Sequence, residues 1–171
     1  MKNKSGESAP LNAVVLTVSD RHTRESDSSG DYLVEALTEA GHVLTERSIV
    51  ADDRYAIRAI VSRWIASEKV DVILINGGTG FQTKNSTPEA VSVLFDREIL
   101  GFGELFRMIS WEQIGSATLQ SRAIAGMANQ TLIFAMPGST SACQLAWQHI
   151  IGDQLQAGTA PCNFVTHLRR R

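Results

Sequence analysis

Between Val70 and Gly80 the chain reads Val-Asp-Val-Ile-Leu-Ile-Asn-Gly-Gly-Thr-Gly, an apolar run that stops abruptly in glycines and a hydroxyl. With Val72, Ile73, Leu74 and Ile75 in succession, neither face of such a segment can be left in water. It therefore suits a central strand of a parallel sheet covered on both sides. Gly77, Gly78 and Gly80 then open backbone conformations closed to other residues and let main-chain N–H groups approach a ligand, with the Thr79 hydroxyl beside them. Phosphate is the natural guest of such a loop; the local alternative is a tight turn that binds nothing. Two better-known glycine motifs do not apply. A Walker A loop requires Gly-Lys-Ser/Thr, whereas Lys84 follows Thr83, and the dinucleotide fingerprint requires a third glycine where Thr83 stands.

The rest of the chain repeats the same unit of buried strand, polar turn and helix. Asn12 to Val18 reads as a first strand, followed by Ser19, Asp20 and a polar run to Gly30; Leu33, Ala36, Leu37 and Ala40 then recur at helical spacing, with Gly41 as a stop. In Asp27-Ser28-Ser29, capping of this helix competes with a ligand role. Val43 to Val50 is a less apolar strand, expected nearer an edge, and Asp52 and Asp53 follow it. Ile57, Ile60, Val61, Trp64 and Ile65 form the strongest amphipathic helix stripe. Either aspartate can cap this helix, and two adjacent carboxylates can also hold a divalent metal that carries phosphates. After the glycine loop, Thr87 is expected as N-cap and Pro88 as the first residue of a further helix, whose N-terminus adds N–H donors near the loop. Glu104 and Arg107 suit an exposed i, i+3 pair, and the small residues Ala123, Ala125, Gly126 and Ala128 predict close packing against a neighbour. Thr131 to Met136 is the last strand, ending in Pro137-Gly138-Ser139-Thr140 before a helix carrying Leu145, Trp147, Ile150 and Ile151.

Three apolar strands, each leading through a polar turn into a helix, predict an α/β fold: a three-layer α/β/α sandwich around a mostly parallel sheet. Their C-terminal loops then share one rim, bearing Thr17, Ser19, Asp20, Asp52, Gly77, Gly78, Thr79, Gly80 and Ser139. Neither a cysteine nor a histidine nucleophile is among them. Such a set suits the binding and alignment of phosphorylated ligands, and phosphoryl or nucleotidyl transfer needs little beyond alignment and charge stabilisation. A length of 171 residues suits one domain, taken as 12–168 between a loose polar leader, 1–11, and a basic tail, 169–171. The net charge of -2 offers no basic face for nucleic acid, and the two cysteines and four histidines show no metal or disulfide spacing. Without a signal-like or membrane-spanning stretch, the expected location is the cytoplasm.

In order along the chain, Leu16-Thr17-Val18-Ser19-Asp20, Asp27-Ser28-Ser29-Gly30, Gly77-Gly78-Thr79-Gly80, Thr87-Pro88-Glu89-Ala90, Gly101-Phe102-Gly103-Glu104, Leu119-Gln120-Ser121-Arg122 and Pro137-Gly138-Ser139 resemble the MoaB/MogA family of molybdenum cofactor biosynthesis proteins. The similarity runs from about Asn12 to His167. Phe95-Asp96-Arg97-Glu98 and Pro161-Cys162-Asn163-Phe164 are similar to the MoaB branch in particular. The resemblance implies a molybdopterin-binding rim, a homo-oligomer (trimer or hexamer), and adenylylation of molybdopterin by Mg-ATP with release of pyrophosphate. It places the family's acidic position after the second strand at Asp52, toward magnesium and ATP. A second acidic position falls on Asn85, an amide, which brings no charge to a metal or to phosphate balance. Glu104 and Ser139 match positions of the pterin or phosphate pocket. The alternative reading is an oligomer of the same fold that binds molybdopterin or a nucleotide without catalysis.

Overall fold

The apolar runs become the middle of a six-stranded sheet. The computed structural model describes residues 9–168; the start of the expected leader, 1–8, and the basic tail, 169–171, lie outside the described residues. In chain order the strands are β1 (Asn12–Val18), β2 (Val43–Val50), β3 (Val72–Asn76), β4 (Arg97–Glu98), β5 (Ile124–Ala128) and β6 (Thr131–Met136). The helices are α1 (Ser28–Glu39), α2 (Arg54–Ala66), α3 (Thr87–Val91), α4 (Leu100–Ile114) and α5 (Thr140–Ala146), the last continuing through a π-helical turn at Trp147–Ile151. The sheet order is β2-β1-β3-β6-β5-β4. β2, β1, β3 and β6 run parallel, while β5 pairs antiparallel with β6 and β4 antiparallel with β5. β2 lies at one edge, as its weaker apolar content predicts.

The continuous apolar runs are explained by the layers. Alternate residues of one strand enter different cores. Ala13, Val15, Val72, Leu74, Leu132 and Phe134 pack with Leu33 and Leu37 of α1, Phe102 and Phe106 of α4, and Cys143 and Ala146 of α5. Val14, Leu16, Ile73, Ile75, Ile133 and Ala135 pack on the other face with Ile57, Val61 and Trp64 of α2 and Ala90 and Val91 of α3. Successive side chains of a strand point to opposite faces, so a strand covered on both sides must be apolar throughout. The expected three-layer fold is the one observed.

Close packing of the small residues is observed, and two local readings change. The small-residue segment is a strand, β5, whose Gly126 lies under Phe95: a Cβ there would stand 2.3 Å from the ring's Cγ. It pairs with β6 through a turn in which Asn129 and Gln130 both have positive φ, the geometry of a tight hairpin. Thr87 is not the N-cap of α3 but its first residue, with Ser86 at the cap, and the Thr87 hydroxyl instead donates to the Gly77 carbonyl at 2.8 Å. At five residues α3 is also too short to carry a substantial dipole. Arg107 turns from exposed Glu104 and donates to the carbonyls of Ser121 and Ala123.

Register levels the parallel strands at one end: Thr17 stands beside Asn76, Asn76 beside Met136, and Val18 beside Val50. Just there a buried polar network ties the strands to α1. Asp27, the N-cap of α1, accepts from Gly30 N–H at 3.0 Å, from the Thr17 hydroxyl at 2.7 Å and from Arg47 Nη2 at 2.8 Å. Asn76 donates to Thr17 Oγ1 at 2.9 Å and accepts from the Ser29 hydroxyl at 3.1 Å. Arg47 reaches across from the edge strand β2 and also pairs with exposed Asp31. Burial pushes the Asp27 carboxyl up, but hydrogen bonds from Arg47, Thr17 and Gly30 outweigh it and hold the group below its ordinary value.

The sign of the pH dependence follows. A carboxyl whose folded pKa lies below its unfolded one contributes its full stabilisation above the unfolded carboxyl range, and that contribution drains away as pH falls through the folded value. Asp27→Ala is expected to lose about 3 kcal/mol at neutral pH, because it strips a buried arginine of its buried partner and α1 of its cap. Urea unfolding from pH 7 to pH 3 should show wild-type stability falling below about pH 4, with a shallower acid limb in the variant.

Candidate functional site

The loops after β1, β2 and β3 meet at the levelled end of the sheet, and two glycines let them do so. Gly77, at φ 96°, donates its N–H to the Met136 carbonyl at 3.0 Å, and a Cβ on it would stand 2.3 Å from the Val18 carbonyl oxygen. Gly78, at φ 66°, has the Thr87 hydroxyl 2.3 Å and Asp52 Oδ2 3.2 Å from where a Cβ would lie. Both positions combine left-handed backbone with an occupied side-chain volume, so glycine is required twice over. Thr79 is buried, and its carbonyl accepts from Arg122 N–H.

The two aspartates after β2 divide their work. Asp53 is the N-cap of α2, its carboxylate accepting from the N–H groups of Tyr55 and Ala56. Asp52 turns the other way, toward the loop that follows the glycines. Its Oδ1 accepts from Ser86 N–H at 3.0 Å and the Ser86 hydroxyl at 2.8 Å, and its Oδ2 from Asn85 Nδ2 at 3.2 Å. Asp20 joins from the loop after β1: Oδ1 accepts from Asp52 N–H at 3.0 Å, and Oδ2 from Lys84 Nζ at 2.8 Å. The hydrogen bond to Lys84, with that from Asp52 N–H, holds the Asp20 carboxyl below its ordinary value.

Asp20, Asp52, Asn85, Gly77, Gly78, Thr79 and Gly80 are therefore one cluster. Thr17 lies beneath it, its hydroxyl already donating to Asp27 and accepting from Asn76. Ser19 accepts from the N–H groups of Arg21 and His22 and so shapes its own turn. Ser139 sits at the neighbouring end of β6 as the N-cap of α5, accepting from Ala142 N–H. Glu104 stands elsewhere, on an open groove of about 630 Å³ with Arg107, Met108, Trp111, Glu112, Thr118 and Leu119.

Arg122 escaped assignment from sequence, yet it is the peg of the loop. Its Nε and Nη2 donate to the Gly80 carbonyl at 3.0 and 2.6 Å, and Nη2 also donates to the Asn85 carbonyl at 2.5 Å. Nη1 pairs with Glu89, and the guanidinium lies 5.2 Å from the centre of the Phe81 ring. Arg47 and Asn76 were equally unmarked. An arginine in a polar run, or an asparagine at a strand end, carries no periodic signal, and the signal available for Arg122 was its place in the Leu119-Gln120-Ser121-Arg122 motif.

Among the described residues no group of three or more His, Cys, Asp or Glu side chains converges as a metal site. A magnesium ion that arrives with phosphates needs less, often one or two carboxylates with the phosphates filling other positions. A carboxylate offers about four lone-pair sites, and hydrogen bonds engage three of those on Asp52. Asp52 thus fits as a single magnesium ligand, while Asn85 presents its amide N–H to that carboxylate in place of a second charge. The arrangement places the Asp52 carboxylate, able to take a cation, beside a glycine turn from which side chains are excluded.

The chain matches the model of a probable molybdopterin binding domain over residues 14–157. It is 56% identical over 170 residues to molybdenum cofactor biosynthesis protein B of Escherichia coli (strain K12), covering 99% of this chain and 100% of that one. A crystal structure of a molybdenum cofactor biosynthesis protein B superposes with a TM-score of 0.85 at 46% identity, over 88% of this chain and 94% of the other. The tungsten cofactor synthesizing protein MoaB from Pyrococcus furiosus superposes with a TM-score of 0.74 at 33% identity, over 84% and 92%. With near-complete coverage at this identity and a fold that superposes closely, the chain belongs to the MoaB branch of the MoaB/MogA family of molybdenum cofactor biosynthesis proteins.

Proposed function

We propose that the rim binds molybdopterin together with ATP and aligns the pterin's phosphate on the α-phosphorus for adenylyl transfer. The observation that carries this reading is the Gly77–Gly78 backbone, forced against Val18, Thr87 and Asp52, at the one end of the sheet where the parallel strands stop level. An oxygen of the pterin phosphate attacks, the bond from the α-phosphorus to the bridging oxygen breaks, and pyrophosphate leaves. The nucleophile is already ionised, so the rim needs no protein base and has neither a histidine nor a cysteine in that role. The work of the chain is positioning: Arg122 fixes the carbonyls of Gly80 and Asn85, and Asp52 fixes Ser86. Magnesium, held by Asp52, would supply charge neutralisation on the phosphates. The matched domain description and the printed names of the relatives support the substrate class.

A second reading, binding without transfer, is favoured by Asn85. Its amide donates to Asp52 where a second carboxylate would strengthen the hold on a metal. Purified protein mixed with molybdopterin, ATP and magnesium separates the two. Equimolar pyrophosphate and adenylylated pterin are expected; pterin binding without either product would leave the binder. Asn85→Asp is expected to tighten magnesium-dependent ATP binding about tenfold, read by calorimetry with and without magnesium.

Self-association belongs to the same proposal. Leu105, Met108, Trp111 and Ile114 on α4, with Leu119 just beyond, are large apolar side chains each at least 46% exposed. Of these, Met108, Trp111 and Leu119 line one open groove, and clustered exposed apolar side chains mark protein–protein contacts. Light scattering should therefore report a homo-oligomer, and Trp111→Glu should shift it toward monomer. No helix among the described residues is long and apolar enough to cross a membrane, consistent with the proposed cytoplasmic site of action.

A further inference from the structure

Lys84 is the feature of the rim that the mechanism above leaves unused. Its side chain is 76% exposed, and its Nζ stands 2.8 Å from Asp20 Oδ2. The segment that carries it is held firmly at both roots. Gly80 and Asn85 are pinned through their carbonyls by Arg122, and Ser86 by Asp52, while Asn85 N–H closes a turn onto the Gln82 carbonyl. Lys84 is thus delivered between these two roots, one residue before Asn85 and four after Gly80. Its parking partner is not free to follow it, because the other oxygen of Asp20 accepts from Asp52 N–H.

The charges explain why a lysine belongs here. Asp52 is the carboxylate closest to Gly78, Asn85 adds none, and three hydrogen bonds already engage Asp52. A polyphosphate entering this rim carries several negative charges, and one carboxylate-held cation neutralises them only in part. An ammonium tethered at the loop supplies a positive charge that needs no metal. Exposed ion pairs are weak and screened by salt, so the Lys84–Asp20 contact can be exchanged for a phosphate at small cost, whereas the buried Arg47–Asp27 pair cannot.

We propose that Lys84 is a phosphate-binding residue of this rim, parked on Asp20 in the free protein and transferred to a ligand phosphate on binding, so that the site holds polyphosphate without a divalent metal. The inference rests on the rim's being a phosphate site, as read above. Asp20 holds the Lys84 ammonium pKa above its ordinary value by its hydrogen bond and charge, so the group is fully charged across the neutral range.

The test is calorimetry of the full chain with inorganic pyrophosphate and with ATP in excess EDTA. Wild type is expected to bind both, with affinity falling as salt rises. Lys84→Ala should bind roughly tenfold more weakly, and Lys84→Arg should recover most of the loss. Asp20→Asn keeps an acceptor for Asp52 N–H while releasing the lysine, and should bind pyrophosphate more tightly than wild type. Equal affinity of Lys84→Ala and wild type overturns the role of Lys84 and leaves the phosphate site standing. Failure of wild type to bind pyrophosphate or ATP with or without magnesium overturns both. Binding by wild type only when magnesium is present overturns the metal-independent hold alone.

Discussion

The buried pair of Asp27 and Arg47 is the interaction on which the rest of the rim depends. One carboxylate caps α1, receives the Thr17 hydroxyl from β1 and binds an arginine from the edge strand β2, while Asn76 of β3 is drawn in through Thr17 and Ser29. Three strands and a helix are thus referenced to one polar centre at the end where the loops after β1, β2 and β3 begin. A parallel sheet held only by apolar faces has little to set the relative height of its strand ends; buried hydrogen bonds are directional and costly to leave unmade, so they do.

Above that floor the loops are fixed by contacts of a different kind. Arg122 and Asp52 bind the glycine loop largely through its backbone carbonyls and N–H groups, and the glycines allow Val18, Thr87 and Asp52 to approach where side chains would stand. The result is a backbone cradle cross-linked by hydrogen bonds, with the exposed Lys84 beside it on Asp20. Such cross-linking suits a reaction class that relies on alignment, and an exposed cation suits ligands that differ in phosphate number.

The charge of the rim is set at two adjoining residues, Lys84 and Asn85. Asn85 stands where the resemblance implies an acid, and its amide is spent on Asp52. An amide at this position with an ammonium at the adjoining residue gives the proposed site less negative charge for a metal and more positive charge for phosphate.

Much of this was legible in the residues themselves. The runs at Val72 to Ile75 and Thr131 to Met136 are apolar without alternation, which only strands covered on both faces require, and from that the layered parallel sheet and its shared rim follow. The glycines announced a loop of unusual backbone, and Asp52 and Asp53 announced two roles without saying which residue took which. That choice belongs to the tertiary structure, since adjacent side chains diverge and only the position of Ser86, 34 residues on, turns Asp52 inward while Asp53 caps α2. Arg122, Arg47 and Asn76 were silent for the same reason. Their partners are distant in sequence and are largely polar atoms met only after folding, so no periodicity or composition records them. Sequence alone determined the buried strands, the turns and the chemistry available at their ends; the folded chain decided which atoms meet, because hydrogen bonds depend on ångström-scale distance and direction that a pattern of residues does not contain.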